Sequence, residues 1–137
     1  MFDFEKLSVY QNIRWHNKIM LPIIFSIQKD YPYLADQLKR ASLSVQLNLA
    51  EGTGRVSNQD KKRFYIISRS SLFECVSILQ SFKDLSVINE DRYNELYESY
   101  EIISKMLLGW FAVWSERVYT HAQTSTHTRY RGVAQSG

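Results

Sequence analysis

Apolar side chains return every three or four residues along most of this 137-residue chain, the period of helices that each bury one face. Tyr10, Ile13, Asn17, Met20, Ile24 and Ile27 mark a first helix. Pro22 falls inside it and removes a backbone donor, which predicts a kink or a frayed turn. Asp30-Tyr-Pro-Tyr33 reads as a turn in which Pro32 opens a second helix, whose buried face carries Leu34, Leu38, Ala41, Val45 and Asn48. Ser57 and Asp60 have the form of a capping box, so a third helix is expected from there to about Leu85. It carries two adjacent stripes: Tyr65, Ser68, Leu72, Cys75, Leu79 and Phe82, then Phe64, Ile67, Ser71, Glu74, Ile78 and Leu85. A helix apolar over so wide an arc packs on more than one neighbour.

Asn89 can cap a fourth helix, with Glu90 and Asp91 complementing its dipole. Its heptad-like stripe is Tyr93, Leu96, Tyr100, Ile103, Leu107, Trp110 and Trp114. No segment alternates with period two for long, so the fold class is all-α, an antiparallel up-and-down four-helix bundle over residues 1–120. Residues 121–137 are polar and aperiodic and read as a flexible tail.

The stretch from Gln37 to Arg55 joins an amphipathic helix to a glycine stop and then a cation. Asn48 falls where a core side chain is expected, and a buried amide needs a partner. Glu51, one turn on, can supply an acceptor, while Gly52 and Gly54 release the chain and aim Arg55 away from the helix end. Asn48, Glu51, Arg69 and Glu74 are together expected to form a polar network between the second and third helices, with a structural role.

With 45% hydrophobic and 14% aromatic residues the chain is too apolar for general disorder, and its length suits one domain. The single cysteine, Cys75, cannot form an internal disulfide, which fits the cytoplasm. The opening Met1-Phe-Asp-Phe-Glu-Lys6 lacks the pattern of a secretion signal and no apolar run is long enough to span a bilayer, so neither secretion nor a membrane is expected. The net charge of +3 is unevenly spread. Lys39, Arg40, Arg55, Lys61, Lys62, Arg63 and Arg69 crowd the middle, opposed only by Glu51 and Asp60; Asp84, Glu90, Asp91, Glu95, Glu98 and Glu101 follow, opposed only by Arg92.

In a hairpin Lys39, Arg40, Arg55, Lys61, Lys62 and Arg63 are expected to converge as a surface for RNA or DNA phosphates, the bland alternative being a solvated charged face. A basic and an acidic flank also permit head-to-tail assembly into a closed ring, with Trp110 and Trp114 offering an aromatic surface for the contact.

Chemistry has little support. His16, His121 and His127 are the only histidines and lack metal-ligand spacing, so no metal or cofactor is expected. Cys75 sits on an apolar stripe and reads as an inert thiol. Arg117 and His121 are a weak ribonuclease pair at a helix end, and Gly52-Thr-Gly54 lacks the lysine of a phosphate loop. The chain is therefore read as non-enzymatic.

Leu7-Ser-Val-Tyr-Gln11, Gln37-Leu-Lys-Arg-Ala-Ser-Leu-Ser44, Asn48-Leu-Ala-Glu-Gly-Thr-Gly-Arg55, Ser70-Ser-Leu-Phe-Glu74 and Lys105-Met-Leu-Leu-Gly109 occur in that order. Over most of its length the chain thus resembles the four-helix-bundle proteins first recognised as products of intervening sequences in bacterial large-subunit ribosomal RNA genes. Ser70 stands where the family pattern carries glycine, which bears on how closely the third helix approaches its neighbour. That family is similar in architecture to accessory proteins of diversity-generating retroelements, which form pentameric rings and assist a reverse transcriptase and its template RNA. The resemblance implies a homopentamer that binds nucleic acid as a scaffold and joins a reverse transcriptase. The other readings are an intervening-sequence product without nucleic-acid affinity and a protein-protein adaptor.

Overall fold

A computed structural model describes the backbone of residues 1–123 and the side chains of residues 1–115. After a short 3-10 turn, Asp3–Lys6, four helices follow: α1 (Ser8–Ile27), α2 (Pro32–Thr53), α3 (Asn58–Asp84) and α4 (Glu90–Gln123). They pack antiparallel in chain order, each against its sequence neighbours, with α4 returning to α1. The fourth helix runs past the boundary expected at residue 120, through His121 to Gln123, and the rest of the expected tail, 124–137, lies outside the described residues.

The helix starts follow from the residues that cap them. Pro32 occupies the first turn of α2, where its missing N–H costs nothing. The Ser57 hydroxyl accepts from the Asp60 N–H at 3.1 Å, and Asn89 Oδ1 accepts from the Arg92 N–H at 2.7 Å. Pro22 does not break α1. It stands on the exposed side, so the carbonyl it leaves without a partner is that of exposed Lys18.

The core is apolar and shared by all four helices: Ile13, Met20 and Ile24; Leu38, Val45 and Leu49; Leu72, Leu79 and Phe82; Leu96, Ile103 and Leu107. The first α3 stripe is buried throughout, whereas of the second only Ser71 is buried and Ile67, Glu74 and Leu85 are exposed. Trp114 is buried and meets Trp110 edge to face at 5.7 Å, so these two rings fill the end of the bundle rather than forming the open aromatic surface expected of them. The exposed large aromatics include Trp15, Phe25, Tyr33 and Phe73 instead.

α2 and α3 lie closest because small residues line their contact. Ala41, Ser42, Val45 and Gly52 face Ser68, Ser71 and Cys75, all buried. Ser68 Oγ donates to the Val45 carbonyl at 2.8 Å, and the Ser44 and Ser71 hydroxyls pair at 2.7 Å. A Cβ on Gly52 would lie 2.9 Å from Phe64 Cβ, an atom too near the backbone to swing aside. Gly52 is thus a packing residue within α2 and not the stop expected. The cap is Gly54, at φ −81° and ψ −6°, right-handed like any helical residue.

The α1–α4 contact is bulkier. His16 stacks obliquely on Tyr100 at 3.9 Å and its Nδ1 pairs with the Ser99 hydroxyl at 2.7 Å. His16 Nε2 and the Tyr100 hydroxyl are buried with no hydrogen-bond partner. Burial pushes the His16 imidazole down to about 4 and the Tyr100 phenol well above its usual value.

Candidate nucleic-acid interface

The register of the α2–α3 contact decides which cations meet. Ser42 faces Cys75, Ser44 faces Ser71, Val45 faces Ser68 and Gly52 faces Phe64. Lys61, Lys62 and Arg63, in the opening turns of α3, therefore sit beside the α2 terminus and Arg55. Lys39 and Arg40 lie thirteen and twelve residues before Gly52, or about 20 Å down the helix at 1.5 Å per residue. The expected convergence of all six does not occur: an antiparallel hairpin brings α3's beginning to α2's end, not to its early turns. Lys39 instead lies 3.4 Å from Asp36 in its own helix.

Arg55, Lys61, Lys62 and Arg63 remain together at one end of the bundle, and two of them, Arg55 and Arg63, meet Phe64. The guanidinium of Arg55 lies 4.8 Å from the Phe64 ring centroid and that of Arg63 4.9 Å. Phe64 is half-buried, its Cβ against Gly52, so the same close approach that fixes the seam fixes the ring on which two cations rest. A guanidinium stacked on a ring keeps its N–H edge for hydrogen bonding, the arrangement that suits planar recognition of phosphate. Arg55 also donates to Glu51 Oε2 at 3.0 Å. The N-terminal dipole of α3 adds to the positive field.

The expected polar network is not assembled. Asn48 is only half-buried and turns back on its own helix, donating to the Ser44 carbonyl at 2.8 Å and to its hydroxyl at 3.0 Å. Glu51 pairs with Arg55, Arg69 lies 4.6 Å over the Phe73 ring, and Glu74 is exposed. Serine hydroxyls on neighbouring positions make the interhelical bonds. Leu49, fully buried, takes the inward place expected of Asn48, because the true stripe is Leu38, Ala41, Val45, Leu49 and Gly52.

Among the described residues no group of three or more His, Cys, Asp or Glu side chains could hold a metal ion. Burial pushes the Cys75 thiol up to about 11, far from a reactive thiolate at neutral pH. No described helix is long and apolar enough to cross a membrane.

The family model described as 23S rRNA-intervening sequence protein matches residues 5–109, and the chain belongs to that family. No curated protein matches it. One contributor to the site is hidden at the level of sequence. Phe64 falls on an apolar stripe of α3 and so reads as core, although it directly follows Lys61-Lys-Arg63, and an aromatic beside a cation run is the signal of such a surface.

Proposed function

We propose that the protein is a non-enzymatic scaffold that binds RNA or DNA backbone through Arg55, Lys61, Lys62 and Arg63. The observation that carries this reading is the stacking of Arg55 and Arg63 on Phe64, which holds two guanidinium groups in place at a basic bundle end. Ordered cations lose less side-chain freedom when they engage phosphate than mobile ones do. Lys39 and Arg40 fall outside this site. A head-to-tail ring, of the five copies that the resemblance to retroelement accessory proteins implies, would repeat the site around an axis and raise avidity with no further kind of interaction. Charge supports that assembly, since Glu90 and Asp91 open α4 at the end opposite Arg55. An RNA titration at several salt concentrations tests the binding, and light scattering across a dilution series tests the ring. A mass of one chain at all micromolar concentrations would remove the avidity argument. A reverse transcriptase gene beside this one would support service to that enzyme.

A protein-protein adaptor is the second reading, and one surface favours it. Phe73, Val76 and Gln80 of α3 and Tyr97 and Glu101 of α4 line an open groove of about 270 Å³, with Phe73 half exposed. Absence of any nucleic-acid affinity would put this reading ahead.

A further inference from the structure

An open groove of about 720 Å³ lies next to the basic cluster, on the other side of Arg55, lined by Phe2, Phe4, Leu47, Glu51 and Arg55 among others. Its floor is apolar and its charges cancel locally. Glu51 is paired with Arg55 at 3.0 Å, and Asp3, at the rim, has Lys6 within 3.8 Å. Phe2 is 72% exposed, yet it is held in place. Its N–H donates to Glu5 Oε1 at 3.2 Å, its ring lies parallel to Phe4 (5° between planes, 6.0 Å between centroids), and Phe4 packs edge-on against Tyr10 at 4.9 Å. Phe4, Phe2, Arg55, Phe64 and Arg63 thus follow one another as aromatic, aromatic, cation, aromatic, cation across one end of the molecule.

We infer that this end takes unpaired nucleotides, with a base stacked on Phe2 in the neutral groove while the adjoining phosphates meet Lys62 and Arg63. The inference rests on the nucleic-acid reading above and names its substrate class. The division of charge argues for it: a base is neutral and flat, a phosphate is an anion, and the two halves of the strip offer one surface for each. A duplex keeps its base faces stacked internally and gains nothing from an exposed phenyl ring, whereas an unpaired base gains a stacking partner.

Fluorescence anisotropy of a labelled mixed-sequence RNA single strand and of a fully paired RNA duplex with the same number of phosphates tests it, with wild type, Phe2→Ala, Phe2→Trp and the Lys62→Ala/Arg63→Ala double variant. The single strand is expected to bind about tenfold tighter than the duplex to wild type, Phe2→Ala to lose that margin, and Phe2→Trp to keep it. Phe2 is exposed, so circular dichroism of Phe2→Ala is expected to match wild type. Equal binding of both RNAs, with Phe2→Ala unchanged but the double variant weakened, would overturn the inference and leave the backbone reading standing. No binding of either RNA by wild type at low salt would overturn both. Unchanged RNA affinity with a lower light-scattering mass for Phe2→Ala would show that the groove receives a second copy of the chain, and would overturn the inference as well.

Discussion

The α2–α3 seam and the aromatic-cationic strip at its end are built from one run of sequence, yet they respond to different forces. Ala41, Ser42, Val45 and Gly52 are buried at the contact with α3, where a methyl group more or a hydroxyl less changes stability. Gly54 and Arg55, with Lys62 and Arg63 across the turn, are exposed, where removing a charge changes folding little and, on the proposed function, is expected to weaken binding. Phe64 belongs to both, because its Cβ touches the seam and its ring carries the cations. The contrast teaches that Gly52 and the seam serines hold the hairpin closed, while Arg55 stands exposed beyond the seam.

The contrast is most easily broken away from the seam, at His16. Its folded pKa is depressed from 6.5 to about 4 by burial, so the unfolded chain binds the proton first. Stability is then fully present above 6.5 and declines as pH falls toward 4, by roughly 3 kcal/mol in all, levelling below that. Urea unfolding at several pH values checks this, and His16→Phe, which cannot take the proton, is expected to lose that part of the slope. Within the seam, Gly52→Ala is expected to destabilise by about 2 kcal/mol, because overpacking against Phe64 exceeds the helix propensity that alanine gains. It should also disturb the Phe64 ring and so weaken RNA binding, the one seam change expected to reach the strip. Ser68→Ala removes the bond to the Val45 carbonyl and is expected to cost about 1 kcal/mol, with RNA affinity unchanged. Asn48→Ala is expected to change stability by less than about 0.5 kcal/mol, since its amide bonds only to Ser44 on the same helix and alanine suits a helix better. Chemical denaturation of the two variants side by side would rank them; a larger loss for Asn48→Ala than for Ser68→Ala would return Asn48 to the core.

Periodicity made the bundle legible. The first stripe of α3 is buried as its spacing required, and so is that of α4 except for half-buried Trp110; the Ser57, Asn89 and Pro32 helix starts follow from residues whose local chemistry leaves little choice. Rotation of α2 was harder to read, because Asn48 and Leu49 are adjacent and a helical stripe has width enough for either. The four polar residues grouped as a network are all compatible with an inward face by spacing, but long side chains find partners one turn away, as Glu51 and Arg69 do, sooner than across a helix pair. The candidate site was legible where neighbours in sequence are neighbours in space, at Arg55 and Lys61–Arg63. It failed where axial register mattered, at Lys39 and Arg40, since charge clustering along the chain carries no information on helix length between the charges.

The central claim, that the strip binds phosphate, is tested most directly by an anisotropy titration of labelled RNA at several salt concentrations with wild type and the Lys62→Ala/Arg63→Ala variant. Each neutralised phosphate releases counterions, so wild-type affinity is expected to fall steeply with salt, and the variant's slope is expected to flatten by roughly one unit for each phosphate left without its cation in each subunit. Its melting temperature should stay near that of wild type. Wild-type binding that is absent or indifferent to salt would contradict the account, and an unchanged slope in the variant would place the phosphate-binding cations on another face of the bundle.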